Sequence, residues 1–460
     1  MASTERKLRP APPTTVAERL ARFSLAADPA RMPAEVIAKA QGCLADFISC
    51  AFEARRLPWG KQAIAYASNG PAGPAAVIGT DARVGAGEAA FANGTLGHGL
   101  VREDMHVASC THLGVVIWPT LLALAELKGD VDGGDFLAAA IVGYEVGARV
   151  GRALFDADLA AKLRPTGTVG AIGAAAAGAR LLGLDEKETI AAIGFAANCA
   201  SGVNEWPWVG GTEVFFHAGF AARSAVTAVQ LARTGAFASP TAIDGRAGLF
   251  AAFDRRVQAG TIAPLADGRY EIMSVYWKPA PACNYVQTPC QAAVAVARQI
   301  ADPRDIREVR VGSFPAAMRY PGCDMAGPFA SILEAKMSIQ YSVAAALVNR
   351  IVAESNYARL DNPDVLRLAA ATTLSVDPQF ESAFPTRQGA EVTAVLKDGT
   401  EIAERRDDVH PVDAVGVRER FLAAATETLG GGRAIATLGA IDSLSVGGPA
   451  DVLIKGLVRA

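Results

Sequence analysis

The chain has 460 residues, 51% hydrophobic and 20% charged, with a formal net charge of -3. That length suits two ordinary domains better than one simple core, and the composition is that of a globular chain rather than a disordered one. There is no long block of like charge to offer nucleic acid or an anionic membrane surface a basic face, and no apolar run reaches the ~18 residues of a membrane span.

Met1 to Pro13 is polar and proline-bearing, lacks the apolar core of a signal peptide, and is expected to be a short disordered arm over 1–13. A cytoplasmic chain follows from that reading, with its seven cysteines as reduced thiols. They form no CxxC pair, which argues against zinc-ribbon or thioredoxin-type chemistry. From residue 14 to about 255 helix follows helix. Thr15 and Glu18 have capping-box spacing, and Pro33 then Glu35 suits the first turn of a helix running to about Phe52. Further helices are predicted over 86–100, 114–128, 134–153, 167–182, 186–200 and 217–233. Gly183 followed by Asp185 and Glu188 marks one helix end and the next helix start. The stretch 134–200 is rich in Ala and Gly, which predicts helix backbones in close approach. Gly167 to Gly173 faintly suggests a nucleotide loop, but its spacing is not GxGxxG and no strand precedes it.

The period changes after about residue 270. Val309-Arg310-Val311, then Thr372, Leu374 and Val376, then Ala390 to Leu396 alternate as strands do, and Asp398-Gly399 is a hairpin turn leading into Thr400-Glu401-Ile402. Helical stretches at 283–302 and 334–350 lie among them. The expected fold class is therefore mainly α with an α+β lid. A helical domain occupies 14–274, a smaller α+β domain 275–405, and residues 406–460 return to the helical domain, making it discontinuous.

The densest polar cluster runs from His98 through Arg102, Glu103, Asp104 and His106 to Cys110, Thr111 and His112. Three readings compete: a metal site, although the spacing is not HExxH; a helix end with capping histidines; and a pocket wall with acid–base function. Around it, Phe91-Ala92-Asn93-Gly94-Thr95-Leu96-Gly97-His98 followed by the acidic stretch resembles the signature of the MmgE/PrpD family. Further pieces recur in order: Gly143-Tyr144-Glu145-Val146 with Arg149, Pro165-Thr166-Gly167-Thr168, Leu182-Gly183-Leu184, His217-Ala218-Gly219, Lys278-Pro279, and Glu334-Ala335-Lys336 with Ser338 and Tyr341. The resemblance spans about 14–455. It implies a helical domain, a smaller α+β lid and a homodimer. It also implies activity on a proton next to a carboxylate without a metal or organic cofactor, as in 2-methylcitrate dehydration, cis-aconitate decarboxylation and iminodisuccinate epimerisation.

Residue by residue, the resemblance keeps His112, Lys278 and, loosely aligned, Tyr320 as catalytic candidates. Cys283 falls where relatives carry a histidine or cysteine. The family's aspartate falls on Val101, its threonine on Met105, a lysine on Val214, and two histidines on Arg164 and Gln287. Removing such a proton builds negative charge that donors or cations must hold. Arg164 is permanently charged and can clamp a carboxylate, but it cannot shuttle a proton. The expected substrate-binding set is Arg164, Asp104, Cys283, Val101, Met105 and Val214, with Phe215 and Phe216 beside them and Trp277 lending Lys278 an apolar contact. Each has a plainer alternative. Lys278 would be a surface lysine, His112 a helix cap, Arg164 an ion-pair partner of Asp158 or Asp185, and Tyr320 a packing residue. His217 would be a helix-start group, and Glu103 and Asp104 solvated acids. The reaction expected is that of a lyase on a small carboxylic acid, not a tricarboxylate. Epimerisation and non-catalytic binding stand as alternatives.

Overall fold

The computed structural model describes residues 14–459; the arm expected over 1–13 lies outside the described residues. Helices begin where the sequence offers caps. Thr15 and Glu18 form the capping box of Val16–Ala26, and Asp185 and Glu188 that of Glu186–Asn198. Gly183 closes Pro165–Leu182 in the left-handed conformation. At the centre lie Ala34–Ala54, Ala86–His98, Gly114–Lys128, Gly133–Leu154, Pro165–Leu182 and Glu213–Arg233. Their apolar residues form one continuous core, and the C-terminal helices Ala414–Leu429, Gly431–Ser443 and Ala450–Gly456 add Phe421, Leu438 and Leu453 to it.

A second core gathers residues 280–394. Its sheet has the strand order Thr372–Val376, Ile306–Ser313, Ala390–Leu396, Glu401–Arg406. The first pair is parallel and the others antiparallel, with Val311 opposite Val392 and Ala394 opposite Ile402. Gly399 takes φ +90° in the hairpin turn, as the Asp-Gly pair predicts. The helix expected over 334–350 is two helices, Ile332–Met337 and Ile339–Asn349. Ser338 between them is extended, with ψ 125°, and its hydroxyl accepts from the Tyr341 amide. Trp59, Val101, Trp206, Val214 and Phe215 belong by sequence to the helical part yet pack into this second core. They are the apolar seam between the two units. Among the described residues no helix is long and apolar enough to cross a membrane.

Candidate active site

Two sequence-distant stretches meet through a very short ladder. Met105 pairs with Tyr276 and His106 with Val275, antiparallel. Continued by two residues, that register sets Glu103 against Lys278. The chain then folds back on itself. Cys110 adopts a left-handed φ of 52°, Thr111 bridges to His106, and His112 returns beneath residue 104. There His112 Nδ1 donates to the Asp104 carbonyl at 2.9 Å. A carbonyl can only accept, so the proton sits on Nδ1 and Nε2 is left bare as a base.

His112 lines a hollow between the two units. Val101, Met105, Trp206, Val214, Leu333 and Met337 make its walls apolar, and Arg164, Cys110, Cys283, Tyr285 and Tyr320 supply its polar groups. Its cavity volume is only ≈ 40 Å³. At roughly 10–15 Å³ per water, that holds a few waters and no organic acid. The described conformation is closed. Tyr285 and Tyr320 also line a wider cavity of ≈ 330 Å³ beside Ala157, Asp158, Arg319 and Phe384, so the tyrosine pair stands between hollow and vestibule.

Arg164 is the cation of the hollow. It leads the helix Pro165–Leu182, whose first-turn proline fixes the approach of the chain. Its guanidinium donates to His98 Nε2 at 3.1 Å and reaches the Tyr320 hydroxyl at 3.5 Å, while Nε has no partner among the described residues. Both partners are neutral. His98 accepts at Nε2, so its proton is on Nδ1, where it meets Glu103 Oε1 at 2.5 Å. Burial pushes Glu103 up, but His98, His112 and Lys278 outweigh it and hold the acid ionised, below the ordinary carboxylate range. Burial first, then Lys278 and Arg164, drive His112 well below the usual imidazole value. Burial raises Tyr320 to about 12, so its hydroxyl remains a donor. Arg164 pairs with no carboxylate among the described residues, neither Asp158 nor Asp185.

Of the predicted residues, His112, Tyr320, Arg164, Cys283, Val101, Met105 and Val214 all line the hollow, whereas Lys278 and Asp104 do not. Lys278 is fully buried, not a surface lysine, and its amine donates to the Ala282 carbonyl at 3.0 Å behind the wall. Burial lowers its pKa, with Glu103 opposing most strongly. Asp104 turns away, bonding the Tyr144 hydroxyl and the Gly114 amide, and burial raises it to about 6. Neither Glu103 nor Asp104 is solvated, at 1% and 2% exposure. Trp277 lies over Gly42 with its ring under the Lys39 amine. Phe215 stacks on Trp59, and Phe216 on Phe91, outside the hollow. His217 sits inside the helix Glu213–Arg233 rather than at its start, its Nδ1 buried and without a partner among the described residues. Gln287 has become a brace: its side chain donates to the carbonyls of Ala280, Ala282 and Cys283 and accepts from the Ala280 amide. Sequence reasoning missed the His98–Glu103 pair as a unit, Tyr285, and Cys323 behind Cys283. It also missed Arg420, which holds the carbonyls of Lys278 and Pro279 from the C-terminal helices. Among the described residues no group of three or more His, Cys, Asp or Glu is placed to hold a metal ion.

Residues 18–260 match the family model of the MmgE/PrpD N-terminal domain, and residues 280–420 that of the MmgE/PrpD C-terminal domain. The chain belongs to the MmgE/PrpD family. The gap between the two matched stretches contains the strand Val275–Tyr276 and Lys278, the buried lysine near this MmgE/PrpD site. Among curated relatives, the cis-aconitate decarboxylase-like protein oryM of Aspergillus oryzae is 35% identical over 252 residues, 53% of this chain and 50% of that protein. Over that match the chain spans half the length of its relative. The cis-aconitate decarboxylase of Aspergillus terreus is 26% identical over 397 residues, 81% of each chain. The human cis-aconitate decarboxylase is 27% identical over 359 residues, 74% of this chain and 73% of that protein.

Proposed function

We propose that this MmgE/PrpD protein is a lyase, a dehydratase or decarboxylase, that removes a proton next to a carboxylate of a small acid with fewer carboxylates than a tricarboxylate. The observation that carries the reading is Arg164: a guanidinium facing an apolar hollow, with only neutral partners, across from a histidine whose Nε2 is bare. A buried cation without a counter-ion favours a ligand that brings one. Arg164 would clamp the carboxylate through parallel hydrogen bonds, and His112 Nε2 would take the adjacent proton. Arg164 and the Tyr320 hydroxyl would then hold the charge that develops, with the Lys278 amine adding its field from behind the wall.

The relatives' names point to cis-aconitate, a tricarboxylate. Where the resemblance places an aspartate, a threonine and a lysine, this hollow has Val101, Met105 and Val214, which neither pair with nor solvate further carboxylates. The test is assay of the purified protein on cis-aconitate and 2-methylcitrate, beside solvent-deuterium exchange into mono- and dicarboxylic acids. Wash-in of deuterium with little turnover of either tricarboxylate is expected. Robust turnover of either refutes the substrate assignment, and no exchange into any acid favours a non-catalytic binder.

A further inference from the structure

The hollow carries a pair of thiols that this chemistry does not use. Cys283 lines it, Cys323 lies fully buried directly behind, and their sulfurs are 3.6 Å apart. All seven cysteines are free thiols. Cys283 sits in the turn before the short helix Asn284–Val286, and Cys323 in the turn after Pro315–Arg319. Neither belongs to a strand ladder that would resist a small shift. We propose that Cys283 and Cys323 form an oxidisable dithiol on the wall of the hollow, which a small hydroperoxide converts to a disulfide.

The two thiols are unequal, which sets the order of events. A hydrogen bond from Cys323, the Tyr285 amide and the cations Lys278 and Arg164 hold Cys283 below the ordinary thiol range, against its burial. Burial and the neighbouring sulfur raise Cys323 well above it. The thiolate is the nucleophile, so Cys283 Sγ attacks one peroxide oxygen. An S–O bond forms, the O–O bond breaks, sulfur gives up two electrons and hydroxide leaves. Cys323 then loses its proton and attacks the sulfenic sulfur. An S–S bond forms, the S–O bond breaks, and the departing hydroxide and that proton leave as water. In sum two thiols and one hydrogen peroxide give one disulfide and two waters.

A disulfide is ~2.0 Å long, so the sulfurs must close by roughly 1.6 Å. The Cys323 amide is bonded to the Tyr320 carbonyl at 3.1 Å. Drawing Cys323 toward Cys283 therefore drags the turn that holds Tyr320 against Arg164. The size of the hollow selects the oxidant: hydrogen peroxide is little larger than water, whereas a bulky hydroperoxide or glutathione disulfide does not fit.

The experiment treats the full chain with hydrogen peroxide and reads intact mass and non-reducing peptide maps. Expected is loss of the mass of two hydrogens, regained with dithiothreitol, and a peptide link joining Cys283 to Cys323. tert-Butyl hydroperoxide at the same concentration should act at least about tenfold more slowly. In C323S the reaction should stop at a Cys283 sulfenic acid, a gain of oxygen with no loss of hydrogen, which dimedone captures once the chain is unfolded. Gain of oxygen without loss of hydrogen in the unsubstituted chain overturns the proposal, as does a link that pairs Cys110 instead. The peptide map of the unsubstituted chain decides the matter even if C323S folds poorly, and the result is independent of which acid is the substrate.

Discussion

His112 owes its chemistry to one backbone carbonyl. With Nδ1 donating to Asp104, the base is Nε2, and burial beside two cations keeps the ring neutral. The sign of the pH dependence follows. The productive form is the unprotonated one, and its pKa is depressed, so kcat/KM should stay level as pH falls through ~6.5, where an ordinary imidazole protonates. It should drop only at more acidic pH. A pH–rate profile with an acid limb centred at ~6.5 or above would contradict this. His112→Ala should lower kcat by about 10²–10⁴-fold and abolish that limb. The sequence singled out His112 and Lys278 because their residue types and order match a family, and Arg164 because it stands where that family carries a histidine. It did not show that Lys278 stands behind the wall or that Asp104 is taken by Tyr144. Those outcomes depend on side-chain direction in a two-residue ladder that no periodicity announces.

Among the elements, the helices Gly133–Leu154 and Pro165–Leu182 position the guanidinium. An added Cβ at Gly173 would lie 2.5 Å from the Gly143 carbonyl oxygen and 3.0 Å from the backbone of Gly147. Backbone meets backbone there, and neither helix can yield by rotating a side chain. Gly173→Ala should therefore cost about 3 kcal/mol or more, the upper part of the overpacking range. Because Arg164 leads the same helix, KM should rise as well. Gly183→Ala is the control: nothing lies within 4 Å of its added Cβ, so only the left-handed φ of 69° counts, at about 1 kcal/mol. Urea unfolding midpoints of the two variants check the contrast, and equal midpoints would refute the packing argument. The close approach was legible as a run of Ala and Gly over 134–200. The break at Ser338 was not, because an apolar helical period continues across it while the serine hydroxyl caps a new start.

Over the whole molecule, the two cores meet at a layer of buried charge behind the site. Lys336 of the α+β unit reaches the Leu100 carbonyl and Glu354, Arg102 binds Glu53 and Ser49, and Asp46 lies fully buried with neither carboxylate oxygen partnered among the described residues. Burial raises Asp46 from 3.8 to about 7. The folded state thus holds a proton that the unfolded chain releases between those values, and stability falls as pH rises across that window. The full penalty, about 4 kcal/mol, is present above pH ~7 and absent below ~4. Asp46→Asn removes it, so the stability gap between variant and native chain should be small near pH ~4 and grow until pH ~7. Denaturant unfolding at several pH values measures that gap, and a gap independent of pH would refute the assignment.

By itself the sequence determined most of the helices and the four strands of the larger sheet. Each is a matter of local period, caps and turns, which act within a few residues. Tertiary structure alone decided which acids ionise, which sulfurs touch and which cation is left without a counter-ion. Those properties are set by distance and desolvation between groups that tertiary packing brings together, and a linear pattern does not encode either.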